Sequence, residues 1–237
     1  MSIDFYPAAD AGRDGSNGRE NIGAAALLYD NDPTLFPDFA ERDLKSLLPS
    51  IKHTNLTFDG ATTFDWLDHD RLKSIPSFSG ETLVTLTLGG NDLLQVIGRK
   101  SRGDSVDLSQ AVLAVKNRFE EVLAMIQKKV PNNVVILSTV YDPTDGTGIL
   151  PTSSPLFESV LPIEYLYTFN DFVRSFAAKS QYLLADVHKH FEGHGALCGS
   201  AEKFWYWKPS PIEPGYLGAS EIRRVWFDTL KANGLHM

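Results

Sequence analysis

The run from Asn133 to Val140 limits the possible folds of this chain more than any other. Val134, Val135, Ile136 and Leu137 follow one another without a polar break. A strand so evenly apolar is buried on both faces, the habit of a parallel sheet with helices on each side. The preceding stretch agrees. From Leu108 to Val130 the apolar residues Val112, Val115, Phe119, Val122, Leu123 and Ile126 recur at helical spacing, and Pro131 closes the run. A long amphipathic helix leading into a buried strand is half of a βαβ unit.

The stretch upstream supplies the other strand. Leu83 to Leu88 alternates apolar residues with threonine, then stops at Gly89-Gly90-Asn91-Asp92. Polar groups directly after a strand lie at the carboxyl edge of the sheet, where open α/β folds hold their ligands. The rest of the chain extends the pattern. Ala24–Tyr29 reads as a short buried strand ending in the turn Asp30-Asn31-Asp32-Pro33. Thr34–Leu48 carries a helical stripe broken early by Pro37, and Ile51–Phe58 reads as a second strand stopped by Asp59-Gly60. Thr62 or Thr63 caps a helix from about Phe64 to Leu72. Leu93–Val106 is less regular. Tyr165–Ala178 is a helix, Tyr182–Val187 a fifth strand, and Ala219–Asn233 the last helix.

This order predicts a five-stranded parallel, flavodoxin-like sheet in a three-layer α/β/α sandwich. The expected organisation is one domain over residues 21–237 after a flexible lead-in over residues 1–20, which is rich in Asp, Gly, Arg, Ser and Asn and has no apolar period. The carboxyl rim would gather Asp30-Asn31-Asp32, Asp59-Gly60, Gly89 to Asp92, Tyr141-Asp142 and the segment His188–His194.

Charge and cysteine content exclude some classes. A net charge of −8 argues against nucleic acid and anionic membranes as partners, since phosphate recognition needs clustered Lys and Arg. Cys198 is the only cysteine, so no intrachain disulfide forms. The first residues lack a basic segment followed by an apolar run, so the expectation is a cytoplasmic protein without a signal peptide. The expected partner is a small-molecule substrate or ligand, and no residue pattern demands a cofactor. His188, His190 and His194 are spaced closely enough to suggest zinc. No carboxylate or cysteine partner stands at a fixed spacing, so they read as loop and surface residues, and no metal is expected.

Four blocks in order then carry a resemblance. They are Asp30 to Thr34, Asn55 to Thr63, Gly89 to Asp92, and Ile212-Glu213-Pro214 leading to Gly218-Ala219-Ser220. Together they resemble the SGNH, or GDSL-like, hydrolase superfamily, mostly esterases, lipases and related acyl hydrolases on the sheet inferred above. The resemblance implies an oxyanion hole at Gly60 and Asn91, with Asp92 and Asp30 beside it as substrate-binding groups. It also implies a nucleophile at the first block and a histidine before the last helix. At those positions stand Asp32 (or Asn31, one residue out of register) and Glu213, with Ser210 where the family's aspartate would be.

Serine chemistry needs a hydroxyl and an imidazole that can take its proton. Asp32 and Glu213 offer neither. Three alternatives follow: Asp32 as a covalent nucleophile, Asp32 and Glu213 as an acid–base pair, or a rim that binds a ligand or cation without turnover.

Overall fold

The computed structural model describes residues 23–68, 71, 73, 75–78, 80–151, 160–208 and 210–234. The lead-in expected over residues 1–20 lies outside the described residues.

Strand β2 (Asn133–Ser138) is the centre of a three-stranded parallel sheet, between β1 (Thr82–Leu86) and β3 (Leu183–Ala185). Leu86 pairs with Leu137, and Ile136 with Leu183. Two long connections carry the chain across. Between β1 and β2 run α4 (Gly90–Ser101) and α5 (Leu108–Lys129), and between β2 and β3 runs α6 (Glu164–Lys179).

Successive strand residues point to opposite faces, and two cores follow from that period. Ile136, Leu83, Leu183 and Ala185 pack with Leu27, Leu28, Ile222 and Trp226. Val135, Leu137, Val84, Leu86 and Leu184 pack on the other side with Val115, Phe119, Val122, Phe169 and Val173. The first set lies against α1 (Ala24–Tyr29) and α8 (Tyr216–Ala232), the second against α5 and α6. Ile136 and Leu137 are both fully buried, each contributing about 1.5–3 kcal/mol by leaving water. Trp226 satisfies its indole N–H inside the first core by donating to Ser138 Oγ at 2.8 Å.

Among the described residues the sheet has three parallel strands, and the five expected are corrected on two counts. Ala24–Tyr29 is a helix. Its alanines and leucines are strong helix formers and it has no β-branched residue. Its buried residues Ala24, Leu27 and Leu28 fall at helical spacing, which a six-residue apolar run shows only weakly. Ile51–Phe58 forms no regular element. There Asn55 Oδ1 accepts from the Thr57 N–H at 2.9 Å and its hydroxyl at 2.7 Å, a local bond that competes with ladder pairing.

The expected helix over Thr34–Leu48 is reduced to a 3₁₀ turn at Pro37–Phe39 and the short α2 (Leu44–Leu47), started by Asp43 accepting from the Ser46 N–H. Leu93–Val106, read as irregular, is mostly α4. Thr62 caps α3 (Thr63–Leu67) in a reciprocal box with Asp65. After β3 come α7 (Val187–Phe191) and a hairpin of β4 (Tyr206–Trp207) and β5 (Ser210–Pro214) that leads into α8.

Candidate functional site

The second and third blocks are joined at the carboxyl end of β1. The chain must turn sharply from β1 into α4, and Gly89 does this at φ +102°, with its Cα against the Phe169 ring where a Cβ would collide. The first turn of α4 then presents Asn91 and Asp92. Asn91 Nδ2 donates to the Ala61 carbonyl at 2.9 Å. Asp92, 4% exposed, accepts from the Thr63 N–H at 2.8 Å and the Thr63 hydroxyl at 2.6 Å. Arg118 closes the network, donating from Nη2 to Asp92 at 3.2 Å and from Nε to Thr63 Oγ1 at 2.8 Å. Gly60, at φ +72°, forms the turn ahead of these residues with open space where a side chain would stand. The Gly60 loop and the Asn91 turn are therefore one bonded unit.

The first block is joined to the last helix. Asn31, 6% exposed, donates from Nδ2 to the Phe36 carbonyl at 3.1 Å and accepts from Arg223 Nη1 at 2.6 Å. Asp32 Oδ1 accepts from the backbone N–H of Thr34 at 2.9 Å and of Leu35 at 3.2 Å. Asp30 faces outward to Lys45 at 2.8 Å. Arg223 is fully buried, with its guanidinium 3.8 Å from the centre of the Phe39 ring. Burial pushes its pKa down to about 10, so it remains a cation at neutral pH. Glu213 is buried in β5, just before Pro214 and the Gly215 that starts α8. Gly218 lets that helix approach closely, because a Cβ there would meet the Trp205 carbonyl.

The three histidines diverge to different partners. His190 Nε2 meets Glu221 Oε2 at 2.8 Å, and His194 stacks on Trp205 with ring centres 3.4 Å apart. His188 joins a polar cluster at the ends of β2 and β3. Its backbone N–H donates to Thr139 Oγ1 at 2.9 Å, and that hydroxyl donates to Asp186 Oδ1 at 2.9 Å. Arg174 holds Asp186 through both Nε and Nη2 at 2.9 Å. Desolvation raises the Asp186 pKa, but the bonds from Arg174 and Thr139 win, and it stays below the usual carboxylate value.

Sequence reasoning did not anticipate Arg118 or the Arg174–Asp186 pair. One signal was present for the last. Tyr167, Asp171 and Arg174 share a helical face by their spacing. Nothing local in the sequence marks Arg118 as a partner of residues far along the chain.

A parallel sheet with helices on both faces and polar turns at its strand ends defines an α/β protein, a class that commonly holds its ligands at the sheet's carboxyl edge. The chain belongs to the GDSL-like lipase/acylhydrolase family, whose model matches residues 20–201. That match spans the first three blocks and stops before Glu213. Solved structures that share the fold include two acetyl xylan esterases. One is a variant of an acetyl xylan esterase from Geobacillus stearothermophilus, with 16% identity, TM-score 0.57, and coverage of 94% of this chain and 86% of that one. The other is the acetyl xylan esterase AlAXEase, with 17% identity, TM-score 0.54, and coverage of 87% of this chain and 90% of that one. No curated protein sequence matches. Among the described residues, no helix is long and apolar enough to cross a membrane.

Proposed function

We propose that this protein hydrolyses small acyl esters with a pair of carboxylates in place of serine and histidine. The observation that carries this is the Asn91–Ala61 bond, which fixes the Asn91 amide beside the Gly60 turn. A substrate carbonyl at that point would meet the second Asn91 N–H and the Gly60 N–H. These donors would stabilise the oxyanion as it forms. Asp32 and Glu213 would then act as an acid–base pair. One takes a proton from the attacking water, and the pair passes that same proton to the leaving alcohol, so both end as carboxylates. Two of the neighbouring folds are acetyl xylan esterases, so acetyl esters are the first substrates to try.

A second reading keeps the ligand and drops the reaction. It is favoured by the Asp32 Oδ1 bonds to Thr34 and Leu35, which give that carboxylate a turn-building role.

Hydrolysis of aryl acetates by the wild type and by Asp32→Asn, Glu213→Gln and Asn91→Ala separates the two. The proposal expects measurable turnover, reduced about a hundredfold or more by each change. Turnover indifferent to Asp32→Asn and Glu213→Gln would remove the carboxylate pair. No turnover, together with a thermal shift on adding the ester, would favour binding alone.

A further inference from the structure

A cavity of about 530 Å³ opens at the carboxyl ends of β2 and β3, lined by Tyr167, Asp171, Arg174, Asp186, His188, Lys189 and Glu192. Its size lies within the range of about 300–1,000 Å³ usual for small-molecule sites. It shares no residue with the four blocks, and the ester reading does not depend on it. We propose that it is a binding site for a neutral polyhydroxylated ligand, a carbohydrate unit.

The wall is built before any ligand arrives. Each nitrogen of Arg174 makes a bond, Nε to Asp186 Oδ2 at 2.9 Å, Nη1 to Asp171 Oδ1 at 2.8 Å, and Nη2 to Asp186 Oδ1 at 2.9 Å. Asp186 also starts α7 and is held by Thr139. Tyr167 donates its hydroxyl to Asp142 Oδ2 at 3.1 Å, which fixes the ring, and that ring meets His188 edge to face at 5.1 Å. Arg174 Nη2 lies 3.3 Å from His188 Nδ1. A guanidinium only donates, so Nδ1 accepts and the proton sits on Nε2. That Nε2–H is buried with no hydrogen-bond partner among the described residues. Side chains supported from behind in this way keep their geometry when a ligand binds.

The charge pattern selects the ligand. The lining has three carboxylates, Asp171, Asp186 and Glu192, against the cations Arg174 and Lys189. An anion finds the guanidinium already neutralised by two carboxylates and meets a surplus of negative charge. An amine has that surplus in its favour but meets Lys189. Hydroxyl groups suit the site on both counts, donating to Asp171 and Glu192 and accepting from Lys189. The Tyr167 ring supplies a flat apolar wall for the C–H face of a pyranose.

Isothermal titration of the full chain with glucose, cellobiose and xylobiose tests this, with inorganic phosphate and spermidine as comparators. The expected result is heat of binding with a sugar and none with phosphate or spermidine. The sugar affinity should fall about tenfold or more in Tyr167→Ala and in Glu192→Ala. Glu192 is exposed, so its replacement probes the site without disturbing the core. Preferential binding of phosphate or spermidine, no binding of any sugar, or sugar binding unchanged in Glu192→Ala would each overturn the proposal.

Discussion

Arg223 Nη1 donates to Asn31 Oδ1 at 2.6 Å, joining the start of the described chain to its last helix across 192 positions. Asn31 passes the constraint on through its own bond to the Phe36 carbonyl. The turn that carries Asp32 is therefore held in place by a cation with no exposed surface. Removing one side of such a contact leaves a buried donor without its acceptor. Asn31→Ala should lower unfolding free energy by about 2–4 kcal/mol, and Arg223→Ala by about 3–5 kcal/mol, since it also loses packing over Phe39. Urea denaturation of both variants and the double variant should show a coupling of about 1 kcal/mol or more. Additive losses would mean that the two side chains act independently.

Asp92 is the corresponding anchor on the other side of the rim. It accepts two bonds from Thr63 and one from Arg118 while almost wholly buried. Asp92→Ala strands the Thr63 N–H and should cost about 2–4 kcal/mol. Thr63→Val keeps the backbone bond, loses the hydroxyl, and should cost less. Hydrogen exchange at Ala61 to Thr63 is the direct readout. It should quicken strongly in Asp92→Ala and only slightly in Thr63→Val.

Gly89 makes the third anchor conformational. Alanine there would need a left-handed backbone and would drive its Cβ into Phe169. Gly89→Ala should destabilise the fold by several kcal/mol, with a rough scale of 1–3 from backbone strain alone. Adding Phe169→Leu should recover part of the loss. Thermal denaturation of the single and double variants measures it, and no recovery would place the cost in the backbone alone.

The His188 cluster gives the protein an acid-sensitive point. Burial and then the Arg174 charge push the His188 pKa below 6.5, while Asp142, Asp186 and Glu192 pull it upward. The unfolded chain takes up the proton near the reference value of about 6.5, and the folded chain only at lower pH. Stability from this site is therefore complete above that reference value and declines as pH falls from it towards the folded pKa. Asp186 adds a separate loss at lower pH, when the pH falls through its depressed value below 3.8. Melting temperature against pH for wild type and His188→Asn should show a flatter profile in the variant just below pH 6.5. The same slope in both would exclude His188 as the cause.

Much of this arrangement could be read before the structure, where one residue type in one period allows a single outcome. The apolar run at Val134 to Leu137 fits only a strand covered on both sides, and Ile136 and Leu137 do enter opposite cores. Thr62 followed by Asp65 is a helix start whatever surrounds it. Ala24–Tyr29 misled because burial is common to strands and helices, and its helix is settled by packing on α8. Asn55 concealed an Asx-type turn inside a stretch with strand composition. The strand end at Gly89 to Asp92 was legible because glycines and short polar side chains commonly follow strands, whereas Gly60 follows a stretch that forms no strand. Arg118 was not legible, because its meaning lies in partners brought near only by the fold.

The absence of a serine–histidine mechanism is the centre of the ester proposal. Its most direct test is intact-mass spectrometry with residual aryl acetate turnover after incubation with a serine-directed fluorophosphonate. The expected result is an unchanged mass and full remaining turnover, because in the proposed reaction Asp32 and Glu213 act without an acyl-serine. A one-to-one adduct on a serine, with turnover lost in proportion, would contradict it.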